Sequence, residues 1–129
     1  LQALTDHTPA QPPKSIKTIF LLTGIARSDS LEEHLKTRCK ELFIHKYPDH
    51  HRFSPSNLKK LKKHFDKTVS HSKIVVTTEK DAMRLLDPEL LRHLGNTPVY
   101  YLPVKVMFHE DDNKKFSHMV NSFLEKYKA

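Results

Sequence analysis

Short apolar runs alternate along this chain with stretches spaced for helices, and that alternation restricts it to few folds. Ile16 to Thr23 is a compact run closed by Gly24 and reads as a buried strand. Glu41 to Tyr47 is a second, shorter strand. Lys73 to Thr77, with Ile74-Val75-Val76 at its centre, is a β-branched third. Val99 to Phe108 is the fourth. Pro103 has no amide proton for a ladder, so this strand is expected to lie at an edge or to be interrupted there.

Between the strands, helix starts are signposted. Ser30-Leu31-Glu32-Glu33 has the pattern of a capping box, and Leu31, Leu35 and Cys39 then share one face. Glu32 precedes Lys36 by one helical turn on another face. Ser54-Pro55 pairs a capping hydroxyl with a proline at the first turn, and Leu58, Leu61 and Phe65 supply the stripe. Thr78 caps a third helix with Asp81 in its first turn and Ala82, Leu85 and Leu86 along its face. Asp87-Pro88 breaks that helix, and Gly95 ends the turns that follow. Phe116, Met119, Val120, Phe123, Leu124 and Tyr127 predict a last helix.

The order βαβαβαβα predicts an α/β domain with three layers. Its mostly parallel sheet would have roughly four strands, with helices on both faces. The 129 residues suit one such domain. Residues 1–15 are expected to be a linker, because Pro9, Pro12 and Pro13 forbid a continuous helix or central strand there. Residues 16–129 form the domain. The chain starts at Leu1 without a signal-peptide pattern, which reads as a processed or cut end. Apolar residues make up 37% and charged residues 29%, and no apolar run reaches the length of about 18 that a membrane span needs. Cys39 is the only cysteine, which excludes an intrachain disulfide and suits a small core residue.

In parallel sheets, binding groups gather beyond the carboxyl ends of the strands. Three polar clusters fall there. The densest is Asp49-His50-His51-Arg52, where a carboxylate could orient an imidazole for proton transfer or phosphate binding. The same residues also suit a solvated turn. A metal site is the weaker reading, since adjacent histidines project differently and no second ligand pair at zinc spacing exists. Thr78-Glu79-Lys80-Asp81 suits either an anion at a helix start or a plain cap with a surface ion pair. Thr23-Gly24-Ile25-Ala26-Arg27 places a glycine where a tight turn or a close approach could be needed.

The formal charge of +7 draws anionic partners. Lys59, Lys60, Lys62 and Lys63 crowd one helix, as a solvated face or as a patch for an anionic membrane, worth about 1 kcal/mol per basic residue. A P-loop is excluded. It needs two glycines ahead of a lysine, and the chain's two glycines, Gly24 and Gly95, cannot form one.

Taken in order, these clusters resemble the tetraacyldisaccharide 4′-kinases. The matching segments are Thr23-Gly24-Ile25-Ala26-Arg27, Tyr47-Pro48-Asp49-His50-His51-Arg52-Phe53, Thr78-Glu79-Lys80-Asp81-Ala82-Met83-Arg84 and Leu102-Pro103-Val104. The similarity runs from about Lys17 to Val104, and Ser28 follows Arg27 where the family commonly has proline. The resemblance implies the C-terminal half of a Rossmann-like P-loop kinase. Such an enzyme transfers the ATP γ-phosphate to the 4′-hydroxyl of a lipid A disaccharide 1-phosphate precursor.

It also implies magnesium, a separate N-terminal P-loop domain as partner, and peripheral placement at the cytoplasmic face of the bacterial inner membrane. No cofactor is expected on this segment alone, which would be inactive. His50 matches the family's motif histidine near the catalytic centre, with Asp49 beside it, while His51 sits where the family varies. Gly24, Thr78, Glu79, Lys80 and Asp81 are expected to support the substrate or phosphate side, with no metal ligand among them.

Two other readings stay open on the residues alone. One is a stand-alone basic α/β module binding nucleic acid, although no nucleic-acid motif is present. The other is a small metal-dependent hydrolase at Asp49-His50-His51.

Overall fold

The computed structural model describes residues 1–4, 8–25 and 28–103. The expected last helix and the strand residues beyond Pro103 lie outside these. The elements run β1 (Gln2–Ala3), β2 (Thr18–Thr23), α1 (Asp29–Lys36), β3 (Glu41–Lys46) and α2 (Pro55–Lys67), then β4 (Lys73–Thr78), α3 (Glu79–Leu85), α4 (Pro88–Leu91) and β5 (Val99–Leu102). The sheet order is β1-β5-β4-β2-β3. β2 pairs in parallel with β3 and β4, β4 pairs in parallel with β5, and β1 closes the far edge antiparallel to β5.

This arrangement follows from the apolar pattern. β2 is buried along its whole length, as a central parallel strand must be. Alternate residues feed two cores. Ile19, Leu21, Ile74, Val76, Tyr100 and Leu102 meet Leu31 and Leu35 of α1 on one face. Phe20, Leu22, Val75 and Val99 meet Leu58, Leu61 and Phe65 of α2, Leu85 of α3 and Leu90 of α4 on the other. Each fully buried leucine contributes about 2 kcal/mol through its removal from water. The α/β class, the parallel strands and the helices on both faces are as the sequence predicts.

The helix faces also locate the crevice. From β2 the chain moves outward to β3 through α1 on one face. From β3 it returns across β2 to β4 through α2 on the opposite face. Right-handed crossovers running in opposite directions must lie on opposite faces. The connections therefore diverge between the carboxyl ends of β2 and β4, which is the switch point where ligands enter open α/β sheets.

Three local details differ from expectation. The first helix begins at Asp29 with Ser28 as its N-cap residue, and the Ser28 hydroxyl donates to Glu32 Oε2 at 2.5 Å, so Ser30 lies inside the helix. β5 stops at Leu102, interrupted before Pro103 as one of the two expectations has it, and what differs is that the edge beside it is covered by β1. Within the segment read as a linker, residues 8–15 are irregular, as the prolines require, but Gln2–Ala3 form β1, and described residues on both sides are packed. Leu1 is 2% exposed in the core, Val99 N–H donates to Thr8 Oγ1 at 3.0 Å, and Tyr100 Oη–H donates to the Gln11 carbonyl at 3.1 Å. Extended chain can add hydrogen bonds to a sheet edge without regular spacing, so composition alone does not reveal it.

Other starts and stops match. Ser54 and Asn57 form a reciprocal capping box around Pro55, and Thr78 Oγ1 accepts the Asp81 amide. Gly95 has φ +54° at the end of the α4 turns, a conformation that favours glycine. Cys39 is half-buried against the first core, its thiol donating to the Leu35 carbonyl at 3.1 Å.

Candidate functional site

The loops after β2, β3 and β4 meet at the switch point, and Gly24 is where they cross. Its amide donates to Asp81 Oδ2 at 3.1 Å, and its carbonyl accepts the His50 amide at 3.0 Å. One residue earlier, the Thr23 carbonyl accepts the Tyr47 amide at 2.8 Å. A Cβ on Gly24 would stand 3.2 Å from the Pro48 carbonyl oxygen and 3.3 Å from both Asp81 Oδ1 and His51 Cβ. A Cβ there would press on all three neighbours, so glycine suits this close approach.

Asp81 organises the side opposite. Its carboxylate is fully buried and accepts from three donors: the Gly24 amide at 3.1 Å, the Thr78 hydroxyl at 2.8 Å and Arg84 Nη1 at 3.0 Å, while its own amide donates to Thr78 Oγ1. A buried carboxylate is tolerated only when paired and hydrogen-bonded in this way. Glu79 and Asp81 both lie in the first turn of α3, where negative charge complements the helix dipole. In this cluster the Thr78 side chain caps α3, accepting the Asp81 amide and donating to the Asp81 carboxylate. Glu79 is half-buried and Lys80 exposed in the same turn.

His50 sits at the mouth. Its φ is +61°, left-handed backbone in a residue other than glycine, and the loop holds it there through the bond to the Gly24 carbonyl. The imidazole is exposed. Nε2 is 3.3 Å from Asp49 Oδ2, and Nδ1 accepts from Arg84 Nη2 at 3.1 Å. Asp49 and His50 are thus brought together with Gly24, Thr78 and Asp81, the last three as scaffold.

His51 turns the other way. Its ring stacks on Tyr47 at 4.5 Å, and Nε2–H donates to Asn57 Oδ1 at 2.8 Å, the same oxygen that accepts the Ser54 amide. It anchors the loop to the start of α2. Arg84 is the member that sequence reasoning left out of the site. The signal for it was its spacing from Asp81, one helical turn on, which lets a guanidinium pair with the carboxylate and still extend past it.

Elsewhere, Lys59, Lys60 and Lys63 are exposed on α2, while Lys62 pairs with Asp66 at 3.0 Å. Among the described residues, no three His, Cys, Asp or Glu side chains could hold a metal ion, so the hydrolase reading has no ligand set there. No helix among the described residues is long and apolar enough to cross a membrane.

Comparison with known proteins bears on the family directly. The model of the LpxK family, tetraacyldisaccharide-1-P 4′-kinase, matches residues 2–125. The chain belongs to this family. Among curated relatives, it is similar to the tetraacyldisaccharide 4′-kinase of Bacteroides thetaiotaomicron, 31% identical over 124 residues covering 94% of this chain and 33% of that protein. Against the enzyme of the same name from Flavobacterium psychrophilum it is 34% identical over 106 residues, covering 82% of this chain and 27% of that protein. Against that of Flavobacterium johnsoniae it is 36% identical over 89 residues, covering 69% and 23%. The chain therefore spans about a third or less of the curated relatives it matches. The nucleic-acid reading finds no support among these tetraacyldisaccharide 4′-kinases.

Proposed function

We propose that this chain is the histidine-bearing, C-terminal part of a lipid A 4′-kinase. The whole enzyme would transfer the γ-phosphate of ATP to the 4′-hydroxyl of a tetraacyldisaccharide 1-phosphate. The observation that carries this reading is the placement of Asp49-His50 over the β2–β4 switch point, within a sequence that matches the family from residue 2 to residue 125. Phosphoryl transfer needs little covalent chemistry from protein and much positioning of the attacking hydroxyl. An exposed imidazole on a tightly held backbone suits that task.

The nucleotide does not fit the residues present, because two glycines so far apart cannot make a phosphate-cradling loop. ATP and magnesium are assigned to family length that this chain does not span, in an N-terminal P-loop domain. The exposed lysines of α2 support peripheral binding to an anionic membrane, and with it a site of action at the cytoplasmic face of the inner membrane, where each basic residue near the surface adds about 1 kcal/mol.

The test is a 4′-kinase assay on a protein of the relatives' full length containing this segment. His50→Ala should lower turnover at least about a hundredfold, in the range of lost acid–base or positioning groups, while the melting temperature stays close to that of the parent. Near-parental turnover would overturn the assignment. The 129-residue chain alone should hydrolyse no ATP.

A further inference from the structure

We infer that Arg84 is a positioning residue that sets the tautomer and direction of the His50 ring. A guanidinium can only donate hydrogen bonds, so His50 Nδ1, 3.1 Å from Nη2, must present its lone pair. With Nδ1 accepting, the neutral ring carries its proton on Nε2, which faces Asp49 Oδ2 at 3.3 Å. Asp49, at the other end of the ring, faces that N–H with an accepting oxygen.

Arg84 can do this because its other prong is fixed. Nη1 lies 3.0 Å from the buried Asp81 Oδ1 and 3.4 Å from the Gly24 carbonyl oxygen. Asp81 is tied in turn to the Gly24 amide and the Thr78 hydroxyl. Constraint therefore passes from the ends of β2 and β4, through a rigid planar fork, to an exposed imidazole. A lysine is a single point charge on a flexible stem and could satisfy Asp81 but not His50 as well. The catalytic consequence rests on the function proposed above: an oxygen arriving beside the outer edge of His50 meets an N–H donor. The tether itself does not depend on that function.

The experiment uses the 129-residue chain labelled with nitrogen-15, with long-range proton–nitrogen spectra of the histidine rings at neutral pH. In the parent, His50 should be the Nε2–H tautomer. Its Nδ1 resonance should be displaced, as a hydrogen-bonded nitrogen, from that of the exposed His71. In Arg84→Lys the His50 Nδ1 resonance should move to the His71 position while the rings of His45, His51 and His64 stay where they are. The melting temperature should hold within about 3 °C, since the pairing with Asp81 survives. Unchanged His50 resonances in Arg84→Lys would overturn the tether, and an Nδ1–H tautomer in the parent would overturn it with no variant needed. No kinase activity enters this readout, so failure of the tether and failure of the His50 catalytic role are separate results.

Discussion

The buried carboxylate of Asp81 accepts the backbone N–H of Gly24 at 3.1 Å, joining the ends of β2 and β4 across 57 residues of sequence. Asp81→Ala removes the acceptor for Gly24, the Thr78 hydroxyl and Arg84 together. Leaving those donors unpaired costs about 3 kcal/mol, at the lower end for a broken buried pair because Arg84 remains partly solvated. Urea unfolding should show a lower midpoint with an unchanged slope. Asp81→Asn, which keeps one acceptor oxygen, should cost less.

His50 adopts φ +61°, where any side chain with a Cβ is strained. Comparison of two truncations isolates that strain from the ring's contacts. His50→Gly should be more stable than His50→Ala by about 1 kcal/mol, the reverse of the order expected at ordinary backbone angles. Equal stabilities would show that the loop relaxes when the ring is removed.

His45 donates or accepts across 2.9 Å to His64, joining the edge strand β3 to α2. Burial pushes the His45 pKa below its ordinary 6.5, helped by His64 and Lys60. His34 on α1 is lowered as well, by burial first and then by Arg38. With a lowered folded value, the unfolded chain takes up these protons first. Their contribution is fully present above the ordinary pKa and is lost as pH falls from 6.5 toward the folded values. Stability measured by urea should therefore drop as pH falls below about 6.5, and drop less in His45→Gln.

Leu1 is 2% exposed and belongs to the core beside Tyr100 and Leu102. Leu1→Ala should destabilise the chain by about 2–3 kcal/mol, the ordinary cost of a leucine-sized cavity. Thr8→Val should add a further loss of about 1 kcal/mol by removing the acceptor for the Val99 amide. A melting temperature indifferent to both changes would mean that the N-terminal segment is not packed in solution.

Much of the scaffold was legible beforehand because its signals are local. The β-branched run at Ile74-Val75-Val76, the Ser54-Pro55 cap and the Leu58-Leu61-Phe65 stripe each report on neighbours within one or two turns. The N-cap of α1 lies two residues before Ser30: Ser28 takes that position without a side-chain cap bond, its hydroxyl donating to Glu32 instead, so the capping-box pattern at Ser30 is not used. The packed N-terminus was missed because its partners, Val99 and Tyr100, lie about ninety residues away in sequence. Asp49 and His50 drew attention as a pair, but Arg84 did not, since 34 residues separate it from the ring it contacts.

The sequence by itself determined the α/β class, the exclusion of a P-loop and the identity of the polar clusters, because periodicity, glycine count and residue chemistry need no third dimension. Only the tertiary structure decided how those clusters relate. Strand order placed β4 beside β2 rather than beyond β3, and this adjacency brings Gly24 to Asp81 and Arg84 to His50. Hydrogen bonds reach only about 3 Å, so contacts between strand ends follow from which strands are neighbours, and that choice belongs to packing of the two apolar faces rather than to local spacing.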